Sequence, residues 1–132
     1  MIRVYIAGPY SSPSADPVPL LENIRNGLRA ASTLIQQGYA PFCPFVDFLY
    51  WIVLRPKERI TKSQIQNYSL EWVKQCQAVL LLKGWERSSG AIRELLVAIY
   101  EDVPIFTSVR QLRDYFEREK KTSSKKPQTL RS

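Results

Sequence analysis

Apolar and polar positions alternate at the start of the chain. Ile2, Val4 and Ile6 fall on one face, and Arg3, Tyr5 and Ala7 on the other, which predicts a short strand over residues 2–7. Gly8 and Pro9 stop it. Residues 11–19 carry three prolines and read as a loop. The period then changes to that of a helix. Ile24, Leu28, Ala31 and Ile35 make an apolar stripe over residues 20–37, and Gly38 is well placed to end it. Residues 39–43 form a second short strand closed by Pro44. Residues 45–54 are dense in aromatic and aliphatic side chains, and periodicity leaves them open between helix and loop. Such a stretch either packs on the core or covers a pocket or a partner. Residues 56–62 are polar loop. A helix over 63–75 follows, with Ile65, Tyr68, Trp72 and Cys76 on one face. The continuous apolar run at 78–82 suits the centre of a parallel sheet. A helix from Ser89 or Gly90 to Tyr100, a strand over 103–107 and a last helix over 109–119 complete the order, the last with Leu112, Tyr115 and Phe116 as its apolar contacts.

Strands alternating with helices imply βαβ units, which close right-handedly into a parallel sheet. The expected fold is a small three-layer, flavodoxin-like (Rossmann-like) α/β domain over residues 1–119, with four strands in the order 2-1-3-4. In such sheets a ligand lies beyond the strand C-termini at the switch point, here between strands 1 and 3. The loops after those two strands, residues 8–19 and 83–89, therefore converge. They supply the candidate contacts Gly8, Pro9 and Tyr10 on one side and Trp85, Ser88, Ser89 and Gly90 on the other.

Composition narrows the chemistry. The 132 residues include no histidine, so histidine triads and histidine-based zinc sites are excluded, and acid–base work falls to Asp, Glu, Tyr, Lys or water. Neither a Walker loop nor a dinucleotide-binding glycine fingerprint occurs. No metal and no cofactor is expected. No apolar run is long enough for a membrane span, and the start of the chain runs straight into a strand pattern, so a cytoplasmic protein without membrane contact is expected. Cys43 and Cys76 stand in apolar surroundings as buried free thiols. The net charge of +7 is uneven: residues 117–132 hold six basic and two acidic groups. The segment 120–132 reads as a basic, disordered tail, with a weak nucleic-acid contact as its functional alternative.

Three features meet at the switch point. Small residues at Ser88, Ser89 and Gly90 suit either an ordinary helix cap or a backbone cradle for an anion. Glu94 is placed in the first turn of the same helix, where the helix dipole would keep it ionised. Tyr5 points away from Ile2, Val4 and Ile6. It is either a core tyrosine or a phenol that holds the Glu94 carboxylate.

Here the chain resembles the nucleoside 2-deoxyribosyltransferase-like superfamily, in particular its small bacterial and phage members and the related 2′-deoxynucleoside 5′-monophosphate N-glycosidases. The resemblance runs over residues 2–107. It is carried by residues 4–10, Asn23, residues 38–44 and the stretch 76–94, whose G-W-x-x-S-x-G-x-x-x-E portion is the most specific. The resemblance implies that Glu94 is a nucleophile attacking C1′ of a (deoxy)nucleoside or its 5′-monophosphate. It implies that Tyr5 orients Glu94, and that Ser88, Ser89 and Gly90 hold the sugar 5′ end. It also implies a homodimer or a larger homo-oligomer. The family pattern has aspartates where this chain has Ser69 and Gln77. Asp47, after the second strand, is the candidate replacement acid, with a surface or capping role as its alternative. Two other readings stand beside the enzyme: a nucleotide-binding module that has lost its acid, and an oligomeric interaction protein using Phe45, Phe48, Tyr50 and Trp51.

Overall fold

The structure, a computed structural model, describes residues 1–10 and 16–125. Its four strands are β1 (Arg3–Ala7), β2 (Ala40–Phe42), β3 (Ala78–Leu81) and β4 (Ile105–Phe106). They form one parallel sheet in the order β2-β1-β3-β4, as the alternating pattern predicts. The register sets Tyr5 beside Phe42 on one side and Val79 on the other.

The period-two pattern of β1 divides the core in two. Val4 and Ile6 pack with Leu34, Phe45, Leu80 and Leu112 on one face of the sheet. Tyr5 and Ala7 pack with Val73, Val79, Ala91 and Ala98 on the other. The first face is covered by α1 (Pro17–Gln36) and α5 (Val109–Lys125), the second by α3 (Lys62–Gln75) and α4 (Ser89–Tyr100). This is the three-layer, flavodoxin-like arrangement. No helix among the described residues is long and apolar enough to cross a membrane.

α1 begins earlier than the prolines suggest. Asp16 caps it, its carboxylate accepting from the Val18 N–H at 3.0 Å. Pro17 and Pro19 then occupy the first turn, where the missing N–H groups have no intrahelical partner to lose. The rest of the expected 11–19 loop, residues 11–15, lies outside the described residues. The buried stripe of α1 is also turned from the expected one. Gly27, Ala31 and Leu34 face the core, while Leu28 and Ile35 are 45% and 62% exposed. Both stripes have helical spacing. Size decides between them, because a Cβ on Gly27 would stand 2.5 Å from the Phe45 ring. Only the small-residue face lets α1 approach that closely.

The open segment 45–54 resolves into a 3₁₀ turn (Pro44–Val46) and the short helix α2 (Leu49–Ile52). α3 starts at a capping box: Thr61 Oγ1 accepts from the Gln64 N–H, and Gln64 Oε1 accepts from the Thr61 N–H. The wholly buried residue of α3 is Val73, which the expected face omitted, whereas Trp72 remains partly exposed while stacking on Phe42. α5 continues to Lys125, past its expected end at 119. Residues 126–132 of the expected tail lie outside the described residues.

Candidate functional site

A cavity of about 170 Å³ opens at the C-terminal edge of the sheet. Its polar lining consists of Asp47, Ser69 and Glu94. Gly8 and Tyr10 contribute from the loop after β1, and Phe45, Phe48, Trp51 and Ile65 form the apolar walls. The topology produces this meeting. β1 ends at Ala7, and the chain after β2 turns back over the sheet through the 3₁₀ turn and α2. α3 and α4 bring Ser69 and Glu94 from the other side.

Glu94 stands beyond the first turn of α4, because the helix starts at Ser89 with Ser88 as its cap. The dipole falls off within that first turn, so burial dominates instead. Burial raises the Glu94 carboxyl to about 7, with a further upward contribution from the Asp47 charge and a downward one from Tyr5. The expectation of a fully ionised carboxylate at neutral pH is corrected accordingly. Its Oε2 is buried without a hydrogen-bond partner.

Tyr5 is wholly buried, and its hydroxyl too is without a hydrogen-bond partner. The phenol lies near enough to Glu94 for each to shift the other's titration. Burial is the main cause that raises the Tyr5 phenol, followed by the Glu94 charge, while Ser69 pulls the other way. The Tyr5 ring is held by stacking on Phe42 at 5.5 Å, and Phe42 stacks in turn on Trp72 at 5.0 Å.

Asp47 is neither a surface group nor a side-chain cap. It is 8% exposed and lines the cavity, and its carboxylate has no hydrogen-bond or ion-pair partner among the described residues. Burial raises it to about 6. It therefore shares one apolar-walled space with Glu94, and its charge disfavours ionisation of Glu94. Burial and the same Asp47 charge also push up the Tyr10 phenol.

The other expected residues fall elsewhere. Ser88 is the helix cap, its Oγ accepting from the Ala91 N–H at 3.2 Å. Ser89 is exposed, and Gly90 lies beside Glu94: a Cβ there would be 3.9 Å from both Glu94 Oε1 and Ser88 Oγ. Trp85 packs against the core on the Tyr5 side of the sheet. Pro9 lines a separate small cavity with Asn23 and Lys83. Asn23 itself steadies the loop after β1, its Nδ2 donating to the Tyr10 carbonyl at 3.3 Å. Gln77 is structural: its Oε1 accepts from the Arg3 N–H at 3.0 Å, and its own N–H donates to the Arg3 carbonyl.

A second cavity, of about 440 Å³, adjoins the first at Ile65. Tyr50, Arg59, Ile60, Gln64 and Tyr68 complete its lining. The Tyr50 and Tyr68 hydroxyls are 3.2 Å apart, with their rings edge to face. Sequence reasoning missed Arg59 and Gln64 as site residues. The T-x-x-Q pattern at 61–64 signals a helix start, and nothing in the sequence places its free amide on a cavity. No group of three or more metal-ligating side chains gathers among the described residues.

The family model described as "Domain of unknown function (DUF4406)" matches residues 2–107. No curated protein matches the chain.

Proposed function

The chain belongs to the DUF4406 family, and we propose that it cleaves or exchanges the N-glycosidic bond of a (deoxy)nucleoside or its 5′-monophosphate. The observation that carries this reading is a pair of carboxylates without partners among the described residues, the half-buried Glu94 and the buried Asp47, facing one cavity with Ser69. Buried carboxyls with raised titration points are well suited to acid–base and nucleophilic work near neutral pH.

In the first step a Glu94 oxygen attacks C1′ while the bond from C1′ to the base nitrogen breaks. The electron pair leaves with the base, and Asp47 supplies the proton that neutralises it. In the second step water or another base attacks C1′ of the glycosyl ester, its proton passes to Asp47, and Glu94 departs as carboxylate. This follows the two-carboxylate logic of retaining glycoside cleavage. Tyr5 acts as a positioning residue for Glu94. Ser69 cannot supply the proton, so the acid role falls to Asp47. Two free thiols among the described residues suit a reducing compartment, and a cytoplasmic setting belongs to the same proposal.

The direct test is incubation with a panel of deoxynucleosides and their 5′-monophosphates, with chromatographic detection of free or exchanged base. Release that disappears in Glu94→Ala supports the reading. Absence of release from every substrate, or release unchanged in Glu94→Ala, sinks it.

Ser69 in place of an acid favours a second reading, a binding module without turnover, which predicts saturable nucleotide binding and no base release. The aromatic segment supports assembly as well. Leu49, Ile52 and Val53 are 51–75% exposed beside the cavity wall formed by Trp51. We propose a homodimer or larger assembly, and a monomeric mass by light scattering would contradict it.

A further inference from the structure

We propose that the second cavity is the base-recognition subsite, and that its Arg59 and Gln64 select nucleobases with a carbonyl oxygen at purine C6 or pyrimidine C4 over those with an exocyclic amino group at that position. The inference rests on the proposed function and names its substrate class.

The first argument is space. Small-molecule sites enclose roughly 300–1,000 Å³. The cavity at Glu94, about 170 Å³, is too small by that standard for a sugar with its base, whereas the two adjoining cavities together fall within the range. With the sugar at Glu94 and Asp47, the base extends past Ile65 into the second cavity. Helix geometry agrees with this span. Ser69 in the first cavity and Ile65 on the shared wall are four residues of α3 apart, about 6 Å along the axis. That is of the order of a purine's length from its glycosidic nitrogen to its far edge.

The second argument is chemistry. Tyr50, Tyr68, Ile60 and Ile65 provide flat and apolar walls that suit a planar ring. The polar groups between them are donors. Arg59 has no hydrogen-bond or ion-pair partner among the described residues, and its guanidinium is donor-only. The Gln64 carbonyl oxygen is already used by the Thr61 N–H, which leaves its amide NH₂ to face a ligand. The Tyr50 and Tyr68 hydroxyls use one donor on each other. A ring edge rich in acceptors satisfies these groups. An exocyclic NH₂ placed against them leaves donors facing donors and forgoes the hydrogen bonds that an acceptor edge makes. Arginine pairs bidentately with the O6/N7 edge of guanine for the same reason.

The test is titration calorimetry with Glu94→Gln, which blocks turnover and preserves the cavity shape. The probes are dGMP, dIMP, dUMP and dTMP against dAMP and dCMP. We expect the carbonyl-bearing set to bind about tenfold or more tightly, the range for one good bidentate contact. In that background Arg59→Met is expected to remove most of the preference. Gln64→Glu keeps the acceptor needed by Thr61, so the helix start is preserved, but it replaces the NH₂ with an acceptor. It is expected to shift preference toward dAMP and dCMP. Equal affinity for both sets, or a preference unchanged in both variants, overturns the inference. The two readings separate cleanly. Selective binding without base release by the wild-type protein leaves this subsite standing and removes the enzyme. Base release without carbonyl preference does the reverse, and no binding by any probe overturns the subsite.

Discussion

Tyr5 and Glu94 face one another across the space between the sheet and α4, and each presents a buried oxygen without a full hydrogen bond. A buried, unmatched polar pair costs stability. The cost is measurable.

Glu94 titrates at about 7 instead of its ordinary 4.5, mainly through burial. The folded state therefore binds that proton more tightly than the unfolded chain. Its contribution is intact below about pH 4.5 and is lost as pH rises toward and beyond 7, to the extent of about 3 kcal/mol. Asp47, raised by burial to about 6, acts with the same sign. Denaturant melts between pH 4 and pH 8 are expected to show Glu94→Gln gaining on the wild type as pH rises, with the two converging at pH 4. A difference independent of pH would contradict this.

Activity is expected to follow a bell centred between about 6 and about 7. The pair must lose one proton to provide a nucleophile and keep the other to protonate the leaving base. The two limbs belong to Asp47 and Glu94 together and not to either alone. Asp47→Asn is expected to lower kcat by roughly 10²–10⁴-fold and to abolish the falling limb. The limb that remains is the ionisation of Glu94 alone, below about 7 because the Asp47 charge is gone. A rate profile for the variant that keeps its alkaline decline would argue against Asp47 as the acid.

Tyr5→Phe removes a buried hydroxyl that has no full partner, so stability is expected to hold or to rise by about 1 kcal/mol. The Tyr5 interaction lowers the Glu94 titration point, and its loss is expected to raise that point above about 7. Carboxyl titration by NMR together with kcat against pH reads both effects. An unmoved Glu94 titration in a well-folded variant would show that the phenol does not position the carboxylate.

Gly27→Ala tests how the cavity wall is built. In an exposed helix this change gains about 1 kcal/mol. Here the new Cβ would stand 2.5 Å from Phe45, and overpacking costs about 1–3 kcal/mol. A net loss in urea midpoint is expected, with weaker ligand binding because the displaced Phe45 ring forms part of the cavity.

The strand order, the two-faced core and the side on which Tyr5 points were legible from local pattern. Alternation at 2–7 and the apolar run at 78–82 each state their own periodicity, and right-handed crossovers leave little freedom in joining them. The motif ending at Glu94 was legible for the same reason, as a strand, a loop and a helix in succession.

Three matters required the folded chain. The helical stripe of α1 could be read in two phases from spacing alone, and the Phe45 ring against Gly27 selects one. Asp47 is an unremarkable aspartate in sequence. It becomes a buried acid because a 3₁₀ turn and α2 fold back over the sheet, and desolvation depends on neighbours far apart along the chain. Arg59 and Gln64 carry no motif of their own beyond a helix start, and only the packing of α2 against α3 turns them toward a cavity. Periodicity is a local property and is written in local residues. Burial, and with it the acidity of Glu94 and Asp47, is decided by contacts between distant segments.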